Sequence, residues 1–369
     1  MVCKGDPMEI KQYKCPNCGG AVTFDSKLQK MKCPYCDAEF EVAALADYEK
    51  QMAKPETDRF ALDTSKAGSV WNESNLGDLS TGSCPSCGAE LVGDKNTIAT
   101  VCPCCGNTQI IQKRVQGLLR PEYVIPFQLD KKAAKEALMQ FYKGKKLLPN
   151  LFKSENHVDS IQGLYVPFWL FDAKAQGSIS YKATKVSSWS DSEYNYTRTD
   201  YYSVQREGSL GFEKISVDGS VKMGDDFMDS IEPFDYGKLT KFQTAYLSGY
   251  IAEKYDVSIE ASKERAIKRI KNSVESKFAS SVTGYSTITK ERSSINVENA
   301  KVAYSLFPVW VLNTKYENQN YQFIMNGQSG LIVGKLPADK GKVLKYRLLY
   351  FLGFGAAFSL IIALLQMFL

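Results

Sequence analysis

Eight of the ten cysteines fall into four Cys-x-x-Cys pairs ahead of residue 106, and this arrangement constrains the chain more than any other feature. Cys15 and Cys18 are separated by 14 residues from Cys33 and Cys36, and Cys84 and Cys87 by the same 14 from Cys102 and Cys105. Paired cysteines of this kind, in a chain that opens on a polar stretch without the apolar run of a secretion signal, point to metal thiolates in a reducing compartment. Each pair makes a tight knuckle, and a hairpin of about 14 residues brings the second knuckle opposite, completing a tetrahedron of sulfurs. The spacing predicts two zinc ribbons, at 1–40 and 81–112, with two Zn2+ as cofactors. A rubredoxin-like iron centre uses similar knuckles and is the competing occupant. Gly19, Gly88 and Gly106 follow three knuckles and Asp37 the fourth, where a positive φ is often needed. Cys104 is a rival ligand, but register against the first ribbon selects Cys102 and Cys105.

Four thiolates close a site to water and substrate, so the ribbons are expected to be structural and the protein not an enzyme. Charge bears on the other common use of ribbons, nucleic-acid binding. Residues 1–120 hold 14 basic and 15 acidic side chains, and each zinc with four thiolates adds two negative charges. That balance repels phosphate and favours protein partners, with a membrane-tethered nucleic-acid binder as the alternative.

The other end of the chain is apolar. Leu348 to Leu369 carries no charge and one Gln366, and its 22 residues reach about 33 Å as a helix, enough to span a bilayer. A buried core helix is the alternative, though such helices seldom lack a polar face over this length. Lys335, Lys340, Lys342, Lys345 and Arg347 precede the span, with Asp339 the single acid among them. Basic flanks stay cytosolic, so the expectation is a single-pass, tail-anchored cell-membrane protein with cytosolic N-terminal domains. The same five residues are expected to touch anionic headgroups.

The composition between these ends, within a chain that is 44% hydrophobic and 24% charged, is that of an ordinary globular protein. Residues 41–80 read as a linker with a short helix from Val42 to Lys54, mobile beyond it and holding Trp71. Asp130 is expected to cap a helix running to about Leu147, with Ala134, Ala137, Leu138 and Phe141 on one face. Leu164 to Phe171 reads as a buried strand in which Pro167 suggests an edge or bulge. Polar, aromatic strands are expected over 178–185, 194–208 and 211–217, and a helix in the second half of 225–255. Ser258 to Phe278 is an amphipathic helix with Ile267, Ile270, Val274 and Phe278 on its stripe and a solvated basic face. Leu306 to Leu312 repeats the earlier strand, Pro167, Trp169 and Lys174 matching Pro308, Trp310 and Lys315. The final hairpin, Tyr316 to Val333, is expected to turn at Asn326-Gly327. The fold class is thus α+β, with 121–337 a duplicated helix-plus-antiparallel-strand domain whose halves are 121–225 and 226–337. The only histidine, His157, reads as a surface loop residue and not a base.

With these residues in place the chain resembles a family of bacterial membrane proteins labelled transcription factor IIB-type zinc-ribbon proteins or primosomal helicase relatives. The resemblance is carried by Cys84 to Gly88, Leu119 to Phe127, Gly163 to Asp172 and Asn326 to Gly334. It implies an anchor or adaptor in envelope-stress assemblies, with phage-shock or SPFH-type proteins as partners. The helicase label lacks its motor, since no Gly-x4-Gly-Lys-Ser/Thr run occurs in the sequence.

Overall fold

The first ribbon begins at a bridge between Lys14 and Ala21 and continues as three short antiparallel strands, β1 (Thr23–Asp25), β2 (Lys30–Lys32) and β3 (Glu39–Phe40). Helix α1 (Val42–Ala53) follows, as its apolar spacing predicts. The computed structural model describes residues 13–53, 59–62, 68–71, 79–94, 97, 101–113, 119–154, 158 and 160–368. His157 lies outside them, as do 54–58, 63–67 and 72–78 of the expected linker. Its described pieces are paired: β4 (Arg59–Leu62) joins a sheet, and Trp71 lies edge-on to Phe242 at 5.9 Å.

Later elements, in chain order, are β5 (Ser69–Val70), β6 (Leu79–Ser83), β7 (Glu90–Asp94), β8 (Ile111–Lys113), β9 (Leu119–Arg120) and β10 (Tyr123–Val124). Then come α2 (Lys131–Tyr142), the long strands β11 (Gln162–Ser190) and β12 (Asn195–Asp218), and α3 (Asp225–Ser230). The chain closes with β13 (Thr240–Lys241), β14 (Ile251–Glu253), α4 (Ile259–Ser280), β15 (Thr287–Tyr316), β16 (Gln319–Asn326), β17 (Ile332–Gly334) and α5 (Lys340–Phe368).

Two compact units form from segments that alternate along the chain. One gathers Met1–Phe60, Lys174–Leu210 and Lys271–Glu298; the other gathers Ala61–Ala173, Gly211–Ile270 and Asn299–Leu369. In the first, the core is small: Cys15, Val22, Met31, Cys33 and Leu45. Val274 and Phe278 of α4 close against Gly177, where an added Cβ would stand 2.9 Å from Val274.

In the second unit the sheet runs in the order β13-β10-β15-β11-β14-β7-β6-β8, with β16 and then β17 on the outer part of β15. The strands expected from 81–112 are therefore not a free-standing ribbon. β7 pairs antiparallel with β14, Ala252 opposite Val92, which joins the ribbon hairpin to the main sheet. Apolar side chains alternate across this sheet into two cores, one around Phe168, Phe307 and Phe234, the other around Trp169, Phe171 and Tyr304.

Several contacts occur twice. Tyr165 of β11 faces Ala252 of the parallel strand β14, and Leu306 of β15 faces Val124 of the parallel strand β10. The Pro167 carbonyl accepts from Gly219 N at 2.8 Å, and the Pro308 carbonyl from Gly327 N at 2.9 Å. Trp169 Nε1 donates to Val257 O at 3.0 Å and Trp310 Nε1 to Leu129 O at 3.2 Å. Tyr255 meets Trp169 edge-on and Phe127 meets Trp310 edge-on, both with ring centroids 5.1 Å apart. Asp130 Oδ1 caps α2 by accepting from Ala133 N, and Ser258 Oγ caps α4 by accepting from Ala261 N.

Three expectations are corrected. Pro167 is in a central strand and not at an edge; its short parallel neighbour β14 is in register only at Leu164 and Tyr165, so no ladder donor is demanded of the proline on that side. Helix α2 ends at Tyr142, five residues early, because Gly144 takes φ 78 and breaks the run. In 225–255 the helix α3 is in the first half, and the second half is short strands and single turns. The last hairpin turns from Asn326-Gly327 as expected, β16 pairing antiparallel with β17 and Met325 opposite Ile332, and a further turn at Glu317 and Asn318, both at positive φ, joins β15 to β16 with Tyr316 opposite Gln319. The turn at Asn326 is longer than two residues, running to Leu331, and the Asn326 side chain builds it by accepting from Gln328 N and Ser329 N and donating to Ile231 O.

Candidate metal centres

The four knuckles share one backbone pattern. The carbonyl of the first cysteine accepts from the residue four positions on, Gly19, Asp37, Gly88 or Gly106, and its N–H donates to the carbonyl of the residue five on. All four closing residues have positive φ, between 55 and 77°, so the glycine and aspartate signals marked real turns.

These turns bring the predicted ligands together. Cys15, Cys18, Cys33 and Cys36 form one cluster and Cys84, Cys87, Cys102 and Cys105 the other, each with its sulfurs within 4.8 Å of one another. The closest pairs are 3.5 and 3.7 Å in the first cluster and 3.6 and 3.7 Å in the second. Disulfides are excluded, since a bonded pair stands at about 2.05 Å. A tetrahedral zinc with Zn–S of about 2.3 Å has sulfurs about 3.8 Å apart, so both clusters fit a four-thiolate metal centre.

Surroundings separate the two centres. Cys18 of the first is exposed. Asn17 N lies 3.4 Å from Cys15 Sγ, and Asn17 Nδ2 lies 3.8 Å from Cys36 Sγ. Lys182 of β11 donates to Pro16 O and Asn17 Oδ1, both at 3.0 Å, and so holds the knuckle from outside. Beside it opens a cleft of about 270 Å3 lined by Phe40, Tyr48, Lys182 and Tyr201, where Tyr48 donates to Glu291 at 3.2 Å.

The second centre is set in the core with Leu91, Leu164 and Ile251. Side chains from the sheet secure its knuckle, Asn313 Nδ2 on Pro103 O at 2.5 Å and Gln322 Nε2 on Cys104 O at 3.2 Å. Cys104 is not among the four clustered sulfurs. Its thiol donates to Cys102, and with the N–H groups of Cys105 and Cys104 it lowers the Cys102 thiol to about 5 in spite of burial. Burial pushes the neighbouring Glu253 carboxyl up to about 8, against the Ser220 hydroxyl that donates to it at 2.8 Å. Glu253 was not legible in sequence, because one acid in a three-residue strand carries no signal of burial.

The expected membrane-contact residues divide. Lys335, Lys345 and Arg347 are exposed, Lys345 and Arg347 on the first turns of α5. Lys340 pairs with Glu317 at 2.8 Å, and Lys342 donates to Leu148 O and Asn150 Oδ1, both at 2.7 Å. α5 itself is long and apolar enough to cross a membrane, with a mean hydropathy of 2.4 and none of its apolar window buried. The basic face of α4 is not simply solvated: Arg265 pairs with Asp218 and Asp225 at 2.9 Å, and Arg269 with Asp229 and Glu232.

No protein-family model matches the chain. No solved structure matches it either. Over 334 residues it is 34% identical to the uncharacterized protein YdjG of Bacillus subtilis (strain 168), an alignment that covers 90% of this chain and 92% of that one. At that identity over nearly the whole of both chains, the chain belongs to the same family as YdjG.

Proposed function

We propose that the chain is a membrane-anchored zinc protein that acts as a scaffold or adaptor, recruiting cytosolic protein partners to the bilayer surface. The observation that carries this reading is the pairing of two closed four-cysteine clusters with a fully exposed apolar helix in one chain. Closed sites of this kind hold structure, and an apolar helix with nothing packed on it needs lipid. Zinc is the metal proposed for both clusters. The basic residues before the span favour a cytosolic location for the two compact units. The resemblance to envelope-stress proteins makes phage-shock and SPFH-type proteins the partners to seek first.

A duplicated design for the helix-and-strand region belongs to this reading. Its support is the doubled contact set: strand positions 165, 167 and 169 correspond to 306, 308 and 310 at a constant offset of 141 residues. Positions 124, 129, 130 and 133 correspond to 252, 257, 258 and 261 at an offset of 128. Each half lends its short strand to the other half's long one.

Partner capture is proposed at the cleft beside the first knuckle, where Tyr201 is 42% exposed. The test is crosslinking in intact membranes with recovery of the full chain, comparing wild type with Tyr201→Ala. The variant should keep two zincs per chain and lose most of the co-recovered protein. Undiminished recovery would remove the cleft as the docking site, and a metal content far from two would remove the zinc assignment.

A further inference from the structure

The segment that follows α2 is charged and apolar at once. Residues 143–153 contain Lys143, Lys145, Lys146 and Lys153 and no acid. Leu148 and Phe152 are buried at 2% and 0%, whereas Leu147 and Leu151, one position before each, are 39% and 46% exposed. The buried pair fixes the loop in the core and leaves two leucines outside among lysines. Lys145 is occupied, its ammonium 3.5 Å from the Phe141 ring centroid, but Lys143, Lys146 and Lys153 are exposed.

The loop is tied to the start of α5. Asp339 N donates to Leu147 O at 2.8 Å, and Lys342 reaches Leu148 O and Asn150 Oδ1. Asp339 Oδ1 in turn accepts from Lys342 N at 2.9 Å, capping the helix at the same point. From Lys342 to the first residue of the uncharged run, Leu348, is about 9 Å along the helix axis. That is close to the Debye length of about 8 Å at physiological salt, so charges on this loop act on headgroups there.

We propose that residues 143–153 form a second membrane contact, a basic and leucine-bearing patch that rests on anionic lipid headgroups beside the point where α5 enters the bilayer. The occupant is a lipid surface: the patch adjoins the apolar helix directly, its charge is of one sign, and its two outward leucines suit the shallow apolar layer beneath headgroups. Lys342 is engaged by protein acceptors, while Lys340 stays exposed beside Glu317, so this loop adds positive charge next to the residues that precede the span. The proposal rests on α5 spanning the membrane, and the two can fail separately.

The test is hydrogen exchange on the full chain in nanodiscs, one set of phosphatidylcholine alone and one with phosphatidylglycerol added. Amides of 143–153 should exchange about tenfold more slowly, or slower still, over the anionic lipid, given about 1 kcal/mol per lysine at such a surface. The difference should vanish in high salt and in the triple variant Lys143→Gln, Lys146→Gln, Lys153→Gln, whose β15 amides report that it is folded. Equal exchange of the loop in both lipids, with Leu348–Phe368 protected, overturns the loop contact alone. Free exchange through Leu348–Phe368 overturns the spanning helix and the loop's place beside it.

Discussion

Asp218 shows how much a single buried carboxylate can hold in this molecule. Its side chain is 1% exposed and Arg265 bonds one oxygen at 2.9 Å. Burial nevertheless wins over the arginine and, with Asp225 and Asp229 nearby, pushes the carboxyl up to about 6. A folded value above the unfolded one means that the group's contribution to stability is full below about pH 4 and is lost as pH rises through 6. The stability of Asp218→Asn relative to wild type should therefore rise between pH 4 and pH 7, by about 1–3 kcal/mol in urea unfolding. A flat difference would show that Arg265 fully offsets the burial. Cys104 gives a second test at this scale. Cys104→Ser should retain two metal ions, because its sulfur is outside both clusters, while Cys102→Ser should retain one; metal analysis of the purified chains decides.

Among the elements, α2 and its exit carry the clearest test. Gly144 sits at φ 78 with no atom within 4 Å of an added Cβ, so Gly144→Ala adds backbone strain and no clash. The expected loss is about 1–2 kcal/mol in thermal or urea unfolding, and a neutral result would mean that the loop takes another path. The same glycine shows what sequence could and could not reveal. The apolar stripe of α2 was readable, but Leu147 and Leu148 continue its period, so the stop depended on one residue's conformation. The knuckles were readable because cysteine spacing and the following glycine or aspartate specify both ligand and turn. Arg265 and Arg269 looked solvent-facing because their partners, Asp218 to Glu232, are brought in by tertiary folding. Pro167 looked like an edge signal because its neighbour's length is set elsewhere in the chain. Asn326-Gly327 was readable because its local turn signal does open the β16–β17 hairpin, whereas the Glu317-Asn318 turn between β15 and β16 carries no such signal.

For the whole molecule, the two clusters differ in what depends on them. The first holds three short strands and a five-residue core around Leu45. The second belongs to the largest core, and β7 hydrogen-bonds to β14, which pairs in turn with β11. Lys254 reinforces this junction twice, through its N–H to Glu90 O at 2.8 Å and its ammonium to the Glu90 carboxylate at 2.7 Å. Metal affinity at each site is therefore part of folding free energy, but for different amounts of structure. Graded chelation of the full chain in detergent should first expose the amides of 13–40, where Cys18 is open to solvent, with β6, β7 and β14 still protected. Release of the second metal should then take β6, β7 and β14 together, and Cys84→Ser with Cys87→Ser should produce that second state without chelator. If the variant leaves β14 protected, the ribbon is only attached to the sheet; if β14 opens with it, the second metal centre stabilises the main sheet itself.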